Sequence, residues 1–134
     1  MPVKTQVFAQ SGLVVTRAMG MIDDLSVLEH QSLIESLPGF ESTFNYLIDA
    51  RMITENLLSR DGVIQMSGAT PFGPSIKRVY VVGDEKSCML ATLAGSVASM
   101  ENRFYVTYEI KDACEWLGIS YNEIINSSIY EDNE

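Results

Sequence analysis

The run Val79-Tyr80-Val81-Val82 constrains this chain more than any other stretch. It is uncharged, rich in β-branched residues and shows no alternation of apolar with polar positions. A strand with one wet face alternates, whereas an unbroken apolar run belongs to a strand covered on both faces. Such strands occur in parallel sheets, and parallel neighbours need a long crossover between them, usually a helix. The rest of the chain should therefore supply strands and helices in turn.

It does. Val3 to Ala9 and Leu13 to Ala18 are β-rich runs, and Gln10-Ser11-Gly12 between them reads as a hairpin connection. Gly20 breaks the strand pattern, and Asp23 or Asp24 caps a helix through about Leu37, which Pro38-Gly39 stops. Phe44 to Ile48 is the next strand. A helix is expected from Thr54 to about Ser67, with Leu57, Leu58 and Ile64 inward. In the alternative, Asp61-Gly62 is a hairpin turn between NLLS and VIQMS. Gly68 to Ser75, GATPFGPS, is loop. Lys77 to Val82 is a strand, Gly83-Asp84 leads into a helix from about Glu85 to Met100, and Arg103 to Tyr108 is the last strand. Ile110, Ala113, Cys114 and Leu117 share one helical face, Gly118 ends that helix, and Ser120 with Glu123 forms a capping-box pattern for a final short one.

The expected fold is α/β: a mixed, mostly parallel five-stranded sheet with an N-terminal hairpin and about four helices, joined by right-handed crossovers. A length of 134 residues suits one domain, placed at residues 1–130, with 131–134 (EDNE) as an acidic tail. No apolar run reaches the ~18 residues that span a bilayer. The opening MPVKTQVFAQ lacks a signal peptide's apolar stretch, so a cytoplasmic location is expected. Cys88 and Cys114 have no motif spacing and read as reduced small hydrophobes. The net charge of −9 is uneven, with eight acids against Arg103 and Lys111 in residues 101–134. That field repels nucleic acid, which needs a basic stripe.

Four pieces together resemble the SpoIIAA-like group of STAS-type domains. They are Gly20 followed by a helix ending at Leu37-Pro38; LIDA, Leu47 to Ala50; RVYVVGD, Arg78 to Asp84, opening a helix; and FYVTYEIKDACEWL, Phe104 to Leu117. They cover roughly residues 13–118. The resemblance implies a small mixed sheet flanked by helices, usually without enzymatic activity, that binds partner proteins and is switched by phosphorylation. In such domains the phosphoacceptor lies in a DSSG-like motif shortly after a strand ending in Asp. Asp49 matches that strand end, but ARMITENLLS follows it, with only Thr54 and Ser59 as hydroxyls, so the switch motif is not matched. Relatives in the group have also been likened to lipid-binding domains of the CRAL-TRIO type, which raises the expectation of a small apolar ligand.

The candidate site residues follow from the sheet. In open α/β sheets ligands bind beyond the carboxyl ends of the strands, beside helix N-termini. Asp49, Arg51, Thr54 and Asp84 should all lie at that edge, where they either dock a partner protein or merely cap backbone. Ser87 to Met100 carries no charge. A helix on a sheet normally has a charged outer stripe. Leu90, Leu93, Ala94 and Val97 would face the sheet, leaving Cys88, Met89, Ala91, Thr92, Ser96 and Ser99 for a second subunit, hence a homodimer, or for an apolar pocket. Phe72 in GATPFGPS is a candidate lid over that pocket. His30, the single histidine, falls among Val27, Leu33, Ile34 and Leu37 on the face that meets the sheet.

G-x-S-x-G, P-loop, G-x-G-x-x-G and H-E-x-x-H motifs are absent from the sequence. A lone histidine gives neither a triad nor a zinc site. No catalytic residue, metal or cofactor is expected. The leading expectation is a regulatory, STAS-type module that binds a protein partner of unknown identity near Asp49. The alternative is a carrier or sensor of a small lipid-like ligand beside the uncharged helix.

Overall fold

The computed structural model describes residues 3–68, 70–98 and 103–131. Residues 132–134 of the acidic tail, and Ser99 and Met100 at the end of the uncharged segment, lie outside the described residues. The fold is α/β, a five-stranded mixed sheet in the order β1-β2-β3-β4-β5. The strands are β1 (Val3–Phe8), β2 (Leu13–Ile22), β3 (Asn45–Asn56), β4 (Arg78–Val81) and β5 (Phe104–Thr107). The helices are α1 (Asp24–Ile34), α2 (Arg60–Gly68), α3 (Glu85–Val97), α4 (Ile110–Leu117) and α5 (Tyr121–Ile125). β1 pairs antiparallel with β2 around a one-turn connection closed by Gly12, and every other neighbouring pair is parallel.

The sheet order equals the chain order, so each parallel crossover steps the same way. Crossovers of one hand that step one way must deposit their helices on one face. Accordingly α1, α2 and α3 share a face, above the side chains of Thr16, Ile48, Tyr80 and their alternating neighbours. The opposite face, carrying Leu13, Val15, Leu47, Val79 and Val81, is left bare by the crossovers. The C-terminal segment covers it: Ile110, Ala113 and Cys114 of α4, Ile124 of α5, and Ile129 complete a second core. VYVV is thus buried from both sides: Val79 and Val81 under α4, Tyr80 and Val82 under the three-helix layer.

Local chemistry sets the helix ends. Asp23 accepts from the backbone N–H of Ser26 at 2.9 Å while Ser26 Oγ accepts from Asp23 N–H at 3.2 Å, a reciprocal capping box. Asp84 caps α3 by accepting from Ser87 N–H at 2.8 Å, and Ser120 caps α5. Gly118, at φ 74°, ends α4 in the left-handed conformation.

Several expectations are corrected. Gly20, at φ 71°, does not end β2; it sits at a bulge, and the strand runs on to Ile22. β3 likewise continues to Asn56, paired with that extension of β2, so Thr54 is an exposed strand residue rather than the start of a helix. α2 begins at Arg60. Ser59 Oγ accepts from Gly62 N–H there, and Asp24 of α1 accepts from both the backbone N–H and the hydroxyl of Ser59. With the register set this way Val63 and Met66 point inward, while Leu57 and Ile64 are exposed; Asp61-Gly62 lies inside the helix, not in a hairpin. On α3, Ala91 is buried against the sheet rather than turned outward, and Val97 is exposed; on α1, Leu33 is exposed. A thirteen-residue helix with an almost unbroken small and apolar sequence has no stripe that dictates its rotation.

Gly95 marks the closest approach of α3 to the sheet: a Cβ there would run into the ring of Phe104 on β5. Gly95→Ala should gain helix propensity but force the ring out of place, a net loss of about 1–2 kcal/mol. Urea unfolding checks this; a variant as stable as wild type would mean that α3 does not touch β5 there.

Candidate functional site

Each sequence-predicted edge residue has a definite location. Asp49 is the last β3 residue paired with β4 and is 1% exposed. Its Oδ1 accepts from Arg51 Nε at 2.9 Å and from the Arg51 backbone N–H at 3.1 Å; its Oδ2 accepts from Arg51 Nη2 at 2.8 Å and from the Tyr130 hydroxyl at 2.6 Å. Burial alone would raise the carboxyl pKa, but the hydrogen bonds from Arg51 and Tyr130 outweigh it and hold the group below its ordinary value. Asp49 is therefore a saturated internal anion. Asp84 caps α3, and Thr54 and Arg51 are on the solvent side of β3. Asp49 and Arg51 are brought together as a pair; Thr54 and Asp84 are not joined to them by any hydrogen bond. Phe72 is 5% exposed, stacks on Tyr46 at 4.4 Å and meets Phe40 edge-on at 5.3 Å, so it is core rather than a lid. Met89 is 70% exposed on the outer side of α3.

The expectation of a crevice beyond the strand ends has a physical obstacle. Such crevices open at a switch point, where successive crossovers depart in opposite directions. Here the strand order never reverses, and no switch point exists among the described residues. Space opens instead between the sheet and its helix layer.

A cavity of about 130 Å³ lies there. Its floor is the sheet, with Thr16 and Ala18 of β2, Tyr46, Ile48 and Ala50 of β3, and Arg78 and Tyr80 of β4; its roof is supplied by α1, α2 and α3. The void has a local cause in side-chain size. Ala18 and Ala50 are short where the floor needs bulk, and Ala91 and Ala94 are short on the roof. Close-packed interiors leave few voids larger than a water molecule, so small residues on both walls mark this region.

One wall is polar and internally satisfied. His30 Nε2 lies 2.8 Å from Thr5 Oγ1 and 3.1 Å from Thr16 Oγ1, and Thr16 Oγ1 lies 2.8 Å from the Tyr46 hydroxyl. Burial pushes the His30 pKa down to about 4, so the ring is neutral at physiological pH. Burial also raises the Tyr46 pKa, keeping that phenol protonated. On the other wall Arg78 is 6% exposed; its Nη2 donates to Thr70 Oγ1 at 3.2 Å and its Nε has no partner.

Sequence reasoning placed His30 on the sheet-facing side of α1 and pointed to the uncharged helix, and both border the cavity. It placed Arg78 only within the Lys77 to Val82 strand and did not single out Arg78 or Tyr46. The available signal was parity. In a strand whose next residues are buried on alternate faces, Arg78 shares a face with Tyr80 and Val82 and must turn inward. Among the described residues no cluster of three or more His, Cys, Asp or Glu could hold a metal, and no helix is long and apolar enough to cross a membrane. Cys88 and Cys114 are free, and burial pushes the Cys114 thiol up to about 11, which keeps it unreactive.

The neutral histidine gives a pH signature. Its folded pKa lies below the unfolded value of about 6.5, so the unfolded chain binds more protons between those values and stability falls as pH drops through that window. The melting temperature should decline from pH 6.5 to 5, and His30→Gln, which keeps a polar contact to Thr5 and Thr16, should flatten that decline. Equal slopes in the two proteins would show that His30 is not held neutral.

No protein-family model matches the chain, and no curated protein matches it, so its chemistry is read from its own geometry.

Proposed function

We propose that this protein is a non-enzymatic binder, a carrier or sensor, of a small and largely apolar ligand, held between the sheet and the α1–α3 layer of a cytoplasmic domain. One observation supports this reading above the others: small side chains stand opposite each other across a cavity of about 130 Å³ whose walls are mostly hydrocarbon. A cavity of ~150 Å³ lined by apolar groups is known to admit benzene. Refilling the space would take only longer side chains at Ala91 or Ala94, which are 5% and 7% exposed.

Benzene is the direct probe. At about tenfold over its Kd it should raise the melting temperature by roughly 5 °C. Ala91→Met should fill the space, weaken benzene binding at least about tenfold and leave the fold intact, since filling a void is tolerated where volume is available. Absence of any benzene shift at saturation in water counts against the reading.

A second reading is a STAS-type interaction module, favoured by the outer face of α3. Met89 and Val97 are 70% and 40% exposed there, and no charge interrupts Ser87 to Ala98. That face would pair two copies or seat a partner protein. Wild type would then sediment as a dimer and Met89→Glu as a monomer; a monomeric wild type removes the homodimer.

A further inference from the structure

We infer that the cavity selects a ligand with a carboxylate head on a hydrocarbon body of about six carbons, and that Arg78 is the anchor for the head. The inference rests on the cavity reading above and adds the ligand's charge and chemical class.

Arg78 is the one formal charge on the cavity wall. The other titratable wall groups are His30, Tyr46 and Tyr80, and no Asp, Glu or Lys lines the space. Arg78 is 6% exposed and makes no ion pair among the described residues; a threonine hydroxyl on Nη2 is the partner it has, and Nε has none. Arginine stays protonated in proteins. A buried cation with one neutral partner is costly, because desolvation is not offset by an opposite charge. The same sheet shows the compensated arrangement: buried Asp49 has both Arg51 and Tyr130. What Arg78 lacks is an acceptor of fixed geometry, and a carboxylate is the group that matches a guanidinium fork.

The surroundings narrow the class further. Arg78 and Tyr46 are register partners on neighbouring strands, so a head group at the guanidinium lies within reach of the Tyr46 phenol. Tyr46 is already bonded to Thr16, and Thr16 to His30, so these groups are occupied and do not invite a polyhydroxylated ligand. The remaining wall is mostly apolar, with Ile48, Val63, Met66 and Leu90; among its polar members Asn56, Ser67 and Ser87 are hydrogen-bonded within the chain, and Gln31 donates to the Met66 carbonyl while its Oε1 has no partner. The volume admits a ring or a short branched chain and excludes a long acyl tail lying wholly inside.

Benzoate and benzyl alcohol share a ring and differ in the head, and calorimetric titration of both into wild type and Arg78→Met tests the assignment. Wild type should bind benzoate at least about tenfold more tightly than benzyl alcohol, the scale of a charge-assisted hydrogen bond. Arg78→Met should abolish that preference while retaining benzyl alcohol. Its folding is checked by its melting temperature, and Thr70→Val provides a second variant that leaves the charge in place and should retain the preference. Benzyl alcohol binding as well as benzoate in wild type, or a benzoate preference that survives in Arg78→Met, overturns the anion assignment and leaves the cavity reading standing. Failure of both ligands to bind, with benzene also inert, overturns both.

Discussion

Every parallel step in this sheet goes the same way, and the architecture depends on that. Right-handed crossovers that never reverse put all three connecting helices on one face of the sheet. Two consequences follow. Among the described residues the carboxyl ends of the strands do not splay into the crevice that a doubly wound sheet provides. The opposite face would be bare, because no crossover can reach it. The chain closes it with α4, α5 and the turn at Ser128–Tyr130, all downstream of β5.

That closure is held by polar contacts as well as by the hydrocarbon under α4. Gln6 of the edge strand accepts from the Ser128 hydroxyl and the Ile129 N–H, and Tyr130 donates to Asp49 in the middle of the sheet. The guanidinium of Arg17 lies over the Tyr130 ring at 4.8 Å. Asp49 thus joins the C-terminal segment to the central strand, and its charge is consumed in doing so. A buried carboxylate with four donors is a structural group. The strand-end acid that invites a docking role in the sequence has both oxygens engaged by Arg51 and Tyr130.

How much of this was legible follows the strength of local signals. The strands and crossover helices were readable because VYVV, the Asp23 cap and the Pro38-Gly39 stop are strong punctuation. The overrun of β2 and β3 was not. Gly20 reads as a breaker, and only tertiary pairing reveals that it forms a bulge within a strand that continues for two more residues. MITEN, Met52 to Asn56, carries helix and strand formers alike, and the parallel register with β2 decided between them. The rotation of α3 was misread at Ala91 because its charges stop at Lys86, and the uncharged stretch from Ser87 offers no polar stripe to orient it. The cavity was invisible for a related reason. It is made by Ala18 and Ala50, unremarkable in isolation, facing Ala91 and Ala94 from far along the chain. Arg78 was legible by strand parity, since it shares a face with Tyr80 and Val82.

The two faces of the sheet treat buried charge differently, and that difference bears on selectivity. On the α4 face the anion Asp49 is matched within the chain. On the helix-layer face the hydroxyls of Thr5, Thr16 and Tyr46 and the neutral ring of His30 satisfy one another, which fixes that wall without adding charge. A protonated histidine there would have set a second cation in the same cavity as Arg78; burial prevents it. The hydrocarbon walls then supply attraction that depends on area and not on identity. Discrimination between ligands of equal size is left to the few wall atoms with unmet hydrogen-bonding capacity, the Arg78 guanidinium as the charged donor and Gln31 Oε1 as a neutral acceptor. Affinity and specificity are in this way separated: the first is spread over three helices and a sheet, the second concentrated at Arg78 and Gln31.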